Sequence, residues 1–60
     1  MPADLAEALA AAPAAAAFFQ TLSYTNRRLF TSWVEEAKKP ETRAARVEKA
    51  VAMLREGKTR

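Results

Sequence analysis

The chain has no cysteine and no histidine. Their joint absence excludes disulfide staples, the usual zinc ligand sets, and Ser–His or Cys–His nucleophile systems. Glycine occurs once, so no loop can cradle a phosphate in the way glycine-rich loops do. Aromatic residues make up 8% of the chain, with a single Trp, which leaves few platforms for stacking. Long apolar runs are also missing. The N-terminal "MPADLAEALAAAPAAAAFF" is Ala-rich rather than Leu-rich, is interrupted by Asp4 and Glu7, and is split by Pro13. It lacks the basic start of a secretion signal and the sustained apolarity of a membrane span. A soluble, cytoplasmic protein without membrane insertion is the expectation.

What is present is a helix-former's alphabet. Ala supplies a quarter of the 60 residues and no segment alternates like a strand, so an all-α fold is expected. The length allows one domain, 1–60. A chain this short buries only about 60% of its unfolded surface. It can build a small core but not a deep substrate cavity as well, and self-association is one way to gain burial.

Punctuation and period predict a bundle of three to four short helices, over about 3–12, 13–22, 24–39 and 41–56. Pro2 suits the first turn of the first helix, whose inward stripe is Leu5, Ala8, Leu9 and Ala12. Pro13 opens the second, with Ala15, Phe18, Phe19 and Leu22 inward. Ser23 is a natural N-cap for the third, where Phe30, Trp33, Val34 and Ala37 face the core and Leu29 lies on the shoulder. Asn26 falls on that apolar face, either bonding the junction with the second helix or marking an interface. Lys38 and Lys39 are expected in its last turn, with Glu35–Lys39 as an i, i+4 pair. Pro40 makes a helix–turn–helix corner into the fourth helix, which buries Ala44, Val47, Val51 and Leu54. Gly57 stops it before a frayed tail over 57–60.

Charge is uneven. Residues 1–26 carry only Asp4 and Glu7, whereas 27–60 carry all ten basic groups against five acids. Placing Arg43 about 50° from the centre of the fourth helix's apolar stripe, and Arg46 about 110° from it, sets Arg43 along the core edge. Glu36 flanks the Trp33 face, so a Glu36–Arg43 pair across the Pro40 corner is expected. Glu35 and Glu36 diverge by about 100° and cannot converge as a catalytic carboxylate pair. No cofactor, metal or catalytic residue is expected.

The string from Leu22 to Lys58, "LSYTNRRLFTSWVEEAKKPETRAARVEKAVAMLREGK", resembles the C-terminal helical region of the YdeI/OmpD-associated family. Ser23, the Arg27–Arg28 pair, Trp33, Glu35 to Lys38, Pro40 to Arg43, Arg46, Met53, Leu54, Gly57 and Lys58 stand at matching positions, and the Leu-Ala and Pro-Ala-Ala segments upstream also fit. Ala12 and Tyr24 depart from the acidic residue and the proline common there. Many members carry a longer N-terminal domain, and this chain is similar to the helical module. The resemblance implies a context of bacteriocin protection and envelope stress but brings no catalytic residues.

Two functional readings lead, ahead of a third in which a partner chain would supply the chemistry of an enzyme. The first is a non-catalytic module that binds a protein partner or a second copy through an apolar groove or a basic helix face, with Arg27, Arg28, Lys38, Lys39 and Arg46 as candidate contacts. The second is nucleic-acid binding through those residues with Arg43 and Lys49. It is weakened by Glu35, Glu36, Glu41 and Glu48 among them. Ser23, Trp33, Glu36, Pro40 and Arg43 are expected to be structural.

Overall fold

The computed structural model describes residues 1–59. Four helices follow one another among them: α1 Ala3–Ala10, α2 Pro13–Thr21, α3 Tyr24–Glu35 and α4 Pro40–Arg55. No strand occurs among the described residues, and the fold is the expected all-α bundle. The accessible surface of 3915 Å² matches the ~3,900 Å² of a compact 6.6 kDa globule.

Each helix boundary has a local cause. Pro2 precedes α1, and its carbonyl accepts the Ala6 N–H at 3.0 Å. Ala12 leaves the helical region, at φ −131° and ψ 79°, ahead of Pro13, whose ring disfavours a helical residue before it, and α1 ends at Ala10. Ala12 offers α2 no side-chain cap. Ser23 caps α3 as expected, its Oγ accepting the Asn26 N–H at 3.2 Å.

The far end of α3 differs from expectation. It stops at Glu35, four residues short of Lys39. Lys38 therefore lies outside any helix, and Lys39 is the extended N-cap of α4, its carbonyl accepting the Arg43 N–H. Pro40 forces that extended geometry on Lys39, and the chain needs several non-helical residues to reverse direction. The Glu35–Lys39 helical pair is consequently not formed.

The tail expected to fray from Gly57 is tied as far as Lys58. Gly57, at φ 73°, donates to Leu54 O at 3.1 Å, and Lys58 N–H donates to Met53 O at 2.8 Å. These are the two bonds of a Schellman cap, and glycine supplies the left-handed residue it needs. Arg60 lies outside the described residues.

Helix α4 is the spine, packing on α1, α2 and α3, while α1 also packs on α2. Phe30, Leu5, Leu54 and Val34 are fully buried, with Leu9, Ala12, Ala15, Phe19, Leu22, Val47, Ala50 and Val51 around them. The inward stripes of α1 and α2 fall where expected, with Ala8 and Phe18 at the edge. On α4 the stripe is rotated: Ala50 is fully buried and Ala44 is exposed. A helix touching three neighbours buries the face that serves all of them, and the small Ala50 lets them approach closely. On α3, Phe30 and Val34 are the anchors, while Trp33 is half-buried against the core and Leu29 is 42% exposed.

Candidate functional site

Rotation of α4 brings Arg43 toward the bundle, and its partner is Asp4, not Glu36. Arg43 Nε donates to Asp4 Oδ2 at 2.6 Å and Nη2 donates to Oδ1 at 3.2 Å. Asp4 Oδ1 also accepts the Leu5 N–H at 3.0 Å. The planar guanidinium fork matches the carboxylate, so the contact is bidentate. Arg43 lowers the Asp4 pKa below its ordinary 3.8, chiefly through the hydrogen bond, and Asp4 raises that of Arg43 in the same way. Glu36 is exposed as the C-cap residue of α3, beyond the corner that was expected to bring it to Arg43. Glu36 instead lines a shallow recess on α3 with Leu29, Ser32 and Trp33.

Arg46 is also engaged within the chain. Its Nη1 donates to the Trp33 carbonyl at 2.8 Å, and its guanidinium carbon lies 5.4 Å from the Trp33 ring centroid. That carbonyl belongs to the last turn of α3, where a cation complements the helix dipole. Arg46 is thus a tie between α4 and α3 rather than an open partner contact. Pro40 and Ser23 hold the structural positions expected of them, and Lys38 and Lys39 remain exposed.

The bundle leaves two recesses of note. The larger, about 660 Å³, runs between α1 and α4. Its floor is Ala8, Ala44, Val47, Val51 and Ala52, and the Asp4–Arg43 pair, Glu48 and Arg55 also line it. Ala44, expected in the core, faces this groove. Its apolar neighbours at positions 47, 51 and 52 share helical spacing with it, the one sequence signal that could have marked the groove.

The second recess, about 390 Å³, lies along α3, with Phe19 of α2 and Met1 also lining it. It gathers Arg27 and Arg28, both expected as contacts, with Tyr24, Thr31, Glu35 and Phe19, which sequence reasoning did not join to them. Tyr24, Arg27 or Arg28, Thr31 and Glu35 recur at near-helical spacing, so the shared face was in principle readable. Arg27 Nε is buried without a hydrogen-bond partner. An N–H donor shut off from water and unpaired is costly, and such donors are few in folded proteins.

Among the described residues no helix is long and apolar enough to cross a membrane, and no three carboxylate, Cys or His groups gather as metal ligands. No curated protein matches the chain, and no solved structure does. The family model described as Bacteriocin-protection, YdeI or OmpD-Associated matches residues 1–57. The match spans nearly the whole chain, as did the likeness read from the Leu22–Lys58 string and the Ala-rich segments upstream of it. The chain belongs to the YdeI/OmpD-associated, bacteriocin-protection family.

Proposed function

We propose that this protein is a small non-catalytic interaction module that docks an amphipathic helix of a partner protein in the α1–α4 groove. The observation that carries the reading is the groove itself: an open apolar floor of small side chains, with charges of both signs along its edges. Helix-in-groove recognition needs such a floor, so that a partner backbone can approach closely, and edge charges to set its orientation. Asp4 and Arg43 satisfy each other at one end, leaving Glu48 and Arg55 to meet complementary partner charges. The absence of His and Cys and the divergence of Glu35 and Glu36 support binding rather than chemistry. A family described by protection and by association is compatible with a protein that acts by occupying a partner.

Two exposed alanines allow a test that spares the core. With the native chain as bait, a partner retained from cell extract is expected to be lost with Ala44→Arg or Ala52→Arg, while helical content is unchanged. A partner held equally by both variants removes the groove from the proposal. A concentration-dependent dimer in light scattering, abolished by Ala44→Arg, would make the second copy the occupant instead. Nucleic-acid binding is the weaker reading, because Arg43 and Arg46 are occupied within the chain.

A further inference from the structure

The recess beside α3 carries a second, separate assignment, since it shares no residue with the α1–α4 groove. We propose that it binds a carboxylate of an acidic peptide segment, with Arg27 as the primary ligand and Arg28 as the supporting charge.

Three observations lead there. Arg27 and Arg28 are consecutive cations that line one concavity, and neither forms an ion pair among the described residues. Arg27 Nε is buried and unpaired, a donor awaiting an acceptor. The residue as a whole is partly exposed, so rotation about its own side-chain torsions can present Nε–H and one Nη–H together. That pair of parallel N–H groups matches the two oxygens of a carboxylate. Binding therefore converts an unpaired donor into a bidentate contact, which gives the site a drive that an ordinary solvated Arg lacks.

The surroundings select the ligand class. Tyr24 and Phe19 offer apolar flanks for the methylenes of a Glu or Asp-bearing chain, and the Thr31 neighbourhood adds polar character. Thr31 Oγ1 donates to the Arg28 carbonyl, which holds it against α3. Glu35 lines the same recess and repels a continuous polyanion, but it accepts the backbone N–H groups that accompany a peptide carboxylate. A nucleic-acid backbone would bring phosphates against Glu35, whereas an acidic peptide brings one carboxylate to the arginines and an amide to Glu35.

The test uses the full chain labelled with nitrogen-15, with an acetylated and amidated peptide carrying one Glu among Ser and Gly, and inorganic phosphate, as separate probes. The Arg27 Nε–H resonance reads the site directly and needs no variant. The single-Glu peptide is expected to shift it saturably, together with the backbone amides of Arg27, Arg28 and Thr31. Arg27→Lys keeps the charge but removes the fork, and is expected to weaken binding about tenfold or more, whereas Lys49→Gln leaves it unchanged. Phosphate moving the Arg27 resonance where the peptide does not would overturn the carboxylate assignment. Shifts spread over all surface cations, equal loss in Lys49→Gln, or no shift at all would overturn the site.

Discussion

Arg43 and Asp4 stand 39 positions apart in sequence and share two hydrogen bonds, at 2.6 and 3.2 Å. The contact joins the first turn of α4 to the first turn of α1 and so closes the bundle's first helix against its last. Both side chains keep about a third or more of their surface in water, at 34% for Arg43 and 40% for Asp4, so screening by salt is part of their behaviour.

The pair makes stability depend on acid. Because Arg43 lowers the folded-state pKa of Asp4 below 3.8, the contribution is present above that unfolded value. It is lost as pH falls through the depressed folded value. Asp4→Asn is therefore expected to have a lower Tm than the native chain near neutrality, with the two converging in strong acid. High salt is expected to narrow the neutral difference. Thermal melts across pH measure this, and parallel curves at every pH would refute it.

Burial separates two leucines cleanly. Leu5 is fully buried, and Leu5→Ala is expected to cost about 2–5 kcal/mol through lost transfer energy and a residual cavity. Leu29 is 42% exposed, and Leu29→Ala is expected to fall within about 0.5 kcal/mol of the native chain. Urea midpoints compare them. For a domain of this size the first change takes a large share of the total.

Gly57 is a conformational requirement rather than a packing one. A Cβ there would meet the Phe18 ring at an ordinary 4.0 Å, but φ is +73°. Gly57→Ala is expected to destabilise by about 1–2 kcal/mol through the left-handed backbone, and Gly57→Asn by less. Loss of protection at the Lys58 amide in hydrogen exchange would show that the cap had opened.

Trp33 reports the α3–α4 tie. Its ring is half-buried, with the Arg46 guanidinium over it. Arg46→Ala is expected to red-shift Trp33 emission, raise its quenching by iodide, and reduce stability by about 0.5–1 kcal/mol from the cation–π contact alone. Arg46→Lys should recover only part, since a single ammonium cannot both bond the Trp33 carbonyl and sit over the ring as the broad guanidinium does. Unchanged emission in Arg46→Ala would show that the contact does not order the indole.

Much of the fold was legible because its signals are local. Pro2, Pro13 and Pro40 mark helix starts, Ser23 caps through a neighbour three residues on, and Gly57 completes a cap within its own turn. The stripes of α1 and α2 follow from period alone. The candidate sites were legible only in part. Arg27 and Arg28 were visible as cations, but their convergence with Phe19 of α2 depends on how two helices meet.

The sequence by itself determined that this protein is a helical bundle of its family, where each helix begins, and which chemistries are excluded by missing side chains. Those properties reside in residue identity, backbone preference and spacing over a few positions. Only the tertiary structure decided that Arg43 reaches Asp4 rather than Glu36, that Arg46 covers Trp33, and that Ala44 faces a groove while Ala50 is buried. Each depends on the rotation of α4 about its own axis and on the end of α3 at Glu35. Those are set by the simultaneous packing of three helices on one, a condition no local stretch contains.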